Sequence, residues 1–271
     1  MGGKFDIDHI ADDEPENPEP YWHVQDLILS ELAVTVVRGL RPNIGLEVQV
    51  PVRLVRSRVH YQDLSRQPYA PPNPDLHHRN ETLVHLADPQ VALHLGHQAT
   101  PWSVAARVGV SVPLGRTEPD PFELGRLGLW HQHIQFGTGT WDPILGLAVG
   151  RSVGGFEAQL NGVARLTLAE NEHGYRAGNR YSILLGAGRR LGDAWSADAG
   201  LSLAREEPEK WGGRIEDEGN LGRTDLFLSL GAGRAFPPIG TLALNLQVPL
   251  MSETTGEQVK IPIILSLVVS R

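Results

Sequence analysis

Two-residue alternation of aliphatic with small or polar residues runs through this chain almost from end to end, and it leaves little room for helices. Leu242, Leu244, Leu246, Val248 and Leu250 alternate with Ala243, Asn245, Gln247 and Pro249. Val259, Ile261, Ile263, Leu265, Leu267 and Val269 repeat the pattern, as do Trp102, Val104, Ala106, Val108, Val110 and Val112. Side chains on a strand point to opposite faces in turn, so each segment offers one apolar face. Eleven strands are expected at 26–38, 43–59, 82–96, 102–114, 140–151, 156–169, 178–190, 194–205, 222–235, 239–250 and 259–271, and a weaker one at 2–8 makes twelve.

The connectors alternate in length. Long polar ones (9–25, 60–81, 115–139, 170–177, 206–221 and 251–258) interleave with short ones at Arg41-Pro42, His97 to Pro101, Gly154-Gly155, Leu191 to Asp193 and Pro237-Pro238. A sandwich has no reason to sort its loops this way. An antiparallel up-and-down transmembrane β-barrel does, with tight turns at one end and long loops at the other. The whole of 1–271 then forms one barrel domain, with 1–25 as the weak first strand and first outer loop. The lipid bilayer becomes its first partner.

The polar face decides the orientation of the wall. It includes Glu31, Glu47, Gln49, Arg53, Arg107, Asp142, Glu157, Gln159, Asn161, Arg165, Arg180, Asp198, Asp225, Asn245, Gln247 and Lys260. Both signs crowd that face, and a twelve-stranded barrel encloses a lumen wide enough to need polar lining. A soluble sandwich or lipocalin-like barrel is the rival, with the aliphatic face turned inward. Tyr21, Trp22, Trp102, Trp130, Trp141, Tyr175, Tyr181, Trp195 and Phe236 fall mostly at segment ends, as an interfacial girdle would require.

Composition excludes several classes. The chain has no Cys, which removes disulfide scaffolds and thiolate metal centres. Its net charge of −8 and lack of a Lys/Arg stripe argue against nucleic acid as a partner. No run approaches the roughly 18 to 20 apolar residues of a helical span; Ile261 to Val269 is too short and holds Pro262 and Ser266. Met1-Gly2-Gly3-Lys4-Phe5-Asp6 has no apolar h-region, so a leader is expected upstream of Met1.

Two segments carry a resemblance. Gly137-Thr138-Gly139-Thr140-Trp141-Asp142-Pro143-Ile144-Leu145-Gly146-Leu147, and Arg38-Gly39-Leu40-Arg41-Pro42-Asn43 followed by Gly45-Leu46-Glu47-Val48-Gln49-Val50-Pro51, resemble the outer-membrane family named for the meta pathway of phenol degradation. The resemblance implies a bacterial outer-membrane transporter for small, aromatic or amphipathic solutes. It also implies insertion by the barrel assembly machinery, although this chain ends Val269-Ser270-Arg271 rather than on an aromatic residue.

Other chemistry has weaker support. His131 and His133 would project to one side of an extended segment, and Asp75, His77, His78 and Glu81 crowd another loop, but neither group offers a full ligand set. No cofactor is expected. A barrel lipid hydrolase needs a His beside a Ser, and neither His85 nor His94 has a serine on its own strand face. Gly150 to Gly155 and Gly186-Ala187-Gly188 precede no helix and therefore cradle no phosphate.

The balanced charges Glu31, Glu47, Arg53, Arg107, Asp142, Glu157, Arg165, Arg180, Asp198, Asp225 and Lys260 are the expected lumen lining. They suit either a weakly selective path or a network that closes the lumen, the second making a structural or partner-binding barrel. The 115–139 loop holds too much apolar surface to lie in water. Phe122, Leu127, Leu129 and Trp130 are its candidate constriction, folded back across the barrel mouth.

Overall fold

The computed structural model describes residues 2–11, 19–72, 80–217, 219–255, 260, 261 and 263–271, with residues 2–11 as backbone only. The strands are β1 (Gly2–Ala11), β2 (Tyr21–Arg41), β3 (Ile44–Gln62), β4 (Glu81–Leu86), β5 (Gln90–Ala99), β6 (Trp102–Ser111), β7 (Asp142–Val153), β8 (Phe156–Arg165), β9 (Tyr175–Arg176), β10 (Arg180–Leu191), β11 (Trp195–Glu206), β12 (Lys210–Trp211), β13 (Arg223–Phe236), β14 (Gly240–Thr254) and β15 (Ile264–Ser270). A short helix, α1 (Pro121–Arg126), lies between β6 and β7.

All wall pairings are antiparallel and nearly all join neighbours in sequence, from β1–β2 round to β14–β15. Among the described residues the path returns to the start through the pair Gly2↔Leu265. β4 and β5 share one place in the wall: β3 pairs with β4 over Val52–Ser57 and with β5 over Ile44–Gln49. The wall is therefore a twelve-strand up-and-down barrel, with β9 and β12 as a separate pair in the loops. Tight turns such as Gly154-Gly155, where φ is +57° and +82°, sit at one end.

The expected 82–96 strand is split, because Ala87-Asp88-Pro89 leaves the ladder between β4 and β5. Pro89 has no N–H to give to a sheet. The last strand starts at Ile264 rather than 259. Lys260 is exposed and precedes β15, so it is not a wall residue.

The facing of the wall is the reverse of a soluble protein's. Leu32, Val34 and Val36 on β2 are 71%, 60% and 61% exposed, and the even-numbered residues Leu244 and Leu242 on β14 are exposed as well. Leu93, Leu95, Leu145, Leu147, Ile183, Leu185, Leu201, Leu203, Leu265 and Leu267 continue this belt around the barrel. Meanwhile Asp142, Ser111, Ser57, Asp225 and Ser229 are buried on the other face. An apolar surface of that extent is stable against acyl chains and not against water, which removes the soluble alternative.

One strand changes phase to serve the interior. Phe227 pairs with Pro249 and Leu226 with Met251, so Leu250 is an extra, bulged residue. Beyond it, even-numbered residues turn inward, and the Ser252 hydroxyl donates to Asp225 Oδ1 at 2.6 Å.

Arginine at Leu244 or Leu246 is expected to cost insertion about 2–4 kcal/mol near the bilayer midplane, while arginine at Asn245 or Gln247 is tolerated. Refolding yield into vesicles, read by heat-modifiable migration, checks this. Greater damage from the Asn245 and Gln247 changes would reverse the inside and outside of the wall.

Candidate functional site in the barrel lumen

The lumen is graded along its axis. Toward the tight turns its lining is small: Gly96, Ser103, Ala105, Ala148 and Gly150, with Gln159 and Asn161, surround a cavity of about 320 Å³. Toward the long loops the lining is bulky and charged, and only about 60 Å³ remains between Glu31, Arg53, Arg165, Arg180 and the inserted residues Phe136 and Tyr175.

Most of the expected charges meet opposite partners. Arg53 Nε donates to Glu31 Oε2 at 2.7 Å. Glu47 accepts from Arg107 Nη2 at 2.6 Å and lies 2.9 Å from His94 Nε2, and Arg107 also reaches Gln90 Oε1 at 3.0 Å. Arg180 meets Glu206 at 2.8 Å. Asp225 takes a two-pronged bond from Arg223, at 2.6 and 3.0 Å. Asp142 is fully buried, accepts from Thr140 Oγ1 at 2.7 Å, and stands 3.9 Å from Arg165 Nε. Glu157 accepts twice from the Ser152 hydroxyl near the tight-turn mouth. Asp198 is exposed and packs against Gly231, where a Cβ would collide with its carboxylate.

The residue that organises the narrow half was not among the expected ones. Asp88, freed from the ladder by Pro89, is 5% exposed and accepts three hydrogen bonds from the long loop. Gly115 N reaches its Oδ1 at 2.8 Å, and Thr138 N and Thr138 Oγ1 reach its Oδ2 at 2.7 and 3.0 Å. Phe136 N and Gly137 N both donate to Arg116 O at 3.0 Å, closing the base of the loop. Gly137 has no alternative residue: a Cβ there would strike Asp88 Oδ1 and sit 2.7 Å from Gly115 Cα. The segment is thereby held across the lumen, with Arg53 Nη1 on Phe136 O at 3.5 Å and the Phe136 ring edge-on to His85 at 4.8 Å. The sequence signs of Asp88 were the Asp-Pro step and the change of phase of the apolar alternation from Val84 and Leu86 to Val91 and Leu93.

The expected constriction residues do something else. Leu127, Leu129 and Trp130 are 65%, 49% and 57% exposed, and the narrow level is lined instead by residues 135–138. The reason is α1: Asp120 caps it by accepting from Phe122 N and Glu123 N, and the helix turns only Pro121 and Phe122 inward. Phe122 joins Tyr175, Ala177 and Trp211 in the apolar cluster of the outer loops, above the narrow level held by 135–138. Tyr21 and Tyr175 are buried, so neither belongs to an interfacial girdle.

The histidines pack on that cluster. His131 and His133 rings are 5.1 Å apart, His133 is edge-on to Phe122 at 5.3 Å, and His131 Nδ1 lies 2.8 Å from Leu129 O. Among the described residues no group of three or more His, Asp and Glu is arranged to hold a metal. Asp75, His77 and His78 lie outside the described residues, and Glu81 accepts from Gln132 Nε2. His94 is engaged by Glu47 and His85 by Arg116 Nη1 at 3.0 Å, and neither is bonded to a serine.

The three comparisons give one informative result. No protein-family model matches the chain, and no curated protein matches it. A solved structure does: the COG4313 outer membrane channel from Pseudomonas putida F1, at 15% identity, with 98% of this chain and 91% of that chain covered and a TM-score of 0.59. The fold is that of an outer-membrane channel. At that identity the likeness carries the barrel and its strand plan across nearly the full length of both chains.

The outer cluster also carries a titratable group. Glu209 Oε1 accepts from Trp211 Nε1 at 3.1 Å, and burial pushes the Glu209 carboxyl above its ordinary value, with Glu206 nearby adding to the rise. A carboxyl whose pKa is raised by folding holds its proton longer in the folded state, so the cluster loses stability as pH rises from 4.5 through the raised value. The thermal midpoint in micelles is expected to be higher at mildly acidic than at neutral pH. Glu209→Gln keeps an acceptor for Trp211 and should shrink that difference; an unchanged difference would assign the pH dependence elsewhere.

Proposed function

We propose that the chain is a bacterial outer-membrane channel for small solutes, with its conductance set by the loop segment 135–138. The observation that carries this is a continuous polar lumen inside an apolar wall, open toward the tight turns and narrowed at one level by a strapped-down loop. The likeness to a solved outer-membrane channel supports it, as does the resemblance of the Gly137 to Leu147 segment to the phenol meta-pathway family. The tight turns then face the periplasm and the long loops the outside.

The narrow level also bears on the solute. Phe136, Tyr175 and Ala177 are buried there, so the surface a solute meets is mainly polar, with the guanidinium groups of Arg53, Arg165 and Arg180 beside Glu31. Its small bore favours small solutes over large sugars, and the preference for amphipathic or aromatic ones is drawn from the resemblance to the phenol meta-pathway family. Glu31, Glu47, Arg107, Asp142, Glu157, Asp198 and Asp225 line the remainder as a weakly selective balance rather than a filter of one sign. No step of this reading needs a catalytic residue or cofactor.

A closed barrel is the second reading, favoured by the small space left at the narrow level. Asp88→Ala separates them. It removes three hydrogen bonds to an ionised acceptor, each worth about 1.5–3 kcal/mol, and so unseats the loop. In planar bilayers the wild-type protein should give small steps and Asp88→Ala larger ones. A folded Asp88→Ala barrel that remains silent would favour the closed reading.

A further inference from the structure

The outward face near the tight turns carries a pattern that the channel does not use. Arg151 lies over the Trp102 ring at 4.8 Å, Arg189 over Phe156 at 5.3 Å, and Arg234 over both Trp195 at 5.1 Å and Phe236 at 4.9 Å. The register makes this a repeat. Trp102 faces Arg151 across β6–β7, and Trp195 faces Arg234 across β11–β13. Phe156 begins β8, which pairs with β10, the strand carrying Arg189. All four rings are partly exposed, between 38% and 50%, and stand just below the aliphatic belt.

These arginines are not structural ion pairs. No carboxylate lies within salt-bridge distance of Arg151, Arg189 or Arg234 among the described residues. Stacking uses the flat face of a guanidinium and leaves its N–H edge free for an anion. The surrounding rim is basic as well, with Arg38, Arg41 and Arg190 against the lone Asp193 of the turns, while the lumen holds Glu157 and Asp198. This concentration of positive charge occurs in a chain whose net charge is −8.

We infer that this rim binds the phosphate headgroups of anionic phospholipid in the leaflet beside the tight turns, one headgroup edge to each arginine–aromatic stack. The inference rests on the membrane-spanning reading of the wall. The ring supplies a platform at headgroup depth, the arginine a phosphate-matched fork, and the leucines above it the acyl contact. Phosphatidylglycerol is the ligand class this chemistry fits, because a zwitterionic headgroup brings its own cation to compete for the phosphate.

The test is lipid retention by the folded, full-length protein in micelles supplied with equal amounts of phosphatidylglycerol and phosphatidylcholine, counted by native mass spectrometry. Near a membrane surface each guanidinium is worth about fivefold in affinity. Wild-type protein should therefore favour phosphatidylglycerol, and Arg151→Gln/Arg189→Gln/Arg234→Gln should abolish most of that preference. Arg56→Gln/Arg58→Gln/Arg205→Gln, at the long-loop end, should leave it intact. If the first triple variant does not fold, Arg234→Gln alone, which touches two rings, should lower the preference about fivefold. Equal retention of both lipids by a wild-type protein that inserts into phosphatidylcholine vesicles would overturn the inference alone. Failure to insert at all would overturn the membrane reading with it. Competition by glycerol phosphate in solution would transfer the site to free phosphate and overturn the lipid assignment.

Discussion

A β-wall whose outer belt is aliphatic forces the polar side chains at that depth into the lumen, and the rest of this structure follows from that constraint. In hydrocarbon the backbone must be satisfied by neighbouring strands, so the strands pair around a ring. Charges turned inward must then be neutralised at close range, because isolated ones would be costly there. The Arg53–Glu31, Arg107–Glu47–His94, Arg180–Glu206 and Arg223–Asp225 groupings do this on successive strands. Glu31, Arg53, Arg165 and Arg180 narrow the half of the lumen toward the long loops, whereas glycines and alanines keep the other half wide.

Where the wall ladder is broken, the lumen acquires its stopper. Pro89 ends β4–β5 continuity, Asp88 turns its carboxylate to the interior, and the loop that follows β6 returns to satisfy it. The glycine-rich segment Gly137 to Asp142 is built for this contact. Gly137 admits the close approach to Asp88 and Gly115, while Thr138, Thr140 and Asp142 form a buried chain of hydrogen bonds running back into β7. Asp88 accepts three hydrogen bonds in this network, so a small number of groups fixes the position of a long loop.

Alternation made the wall legible from the residues alone: the facing of β6, β14 and β15, the tight turns and the polar lining all follow from period two and from loop length. What alternation cannot convey is the pairing of charges on non-adjacent strands, or a break inside a strand whose flanks still alternate. Asp88 was hidden for that reason, since apolar alternation continues on both sides and only its change of phase, from Val84 and Leu86 to Val91, Leu93 and Leu95, marks the break. Leu127, Leu129 and Trp130 meet another limit. Hydrophobicity shows that a loop packs, but the six-residue helix capped by Asp120 decides which side chains face inward, and it selects Phe122. Glu206 likewise gains its role only when the register sets it opposite Arg180.

The central claim is that the segment 135–138 is held within the lumen by Asp88 while the rest of its loop stays outside. Amide hydrogen exchange of the folded protein in micelles tests it directly, since protection follows stable hydrogen bonding residue by residue. The account predicts slow exchange at Gly115, Phe136, Gly137 and Thr138, whose amides are bonded to Asp88 or Arg116, and faster exchange at the exposed Leu127, Gly128 and Leu129, whose amides bond only within α1 and its last turn. Uniformly fast exchange across 112–141, in a barrel whose wall amides remain protected, would contradict it.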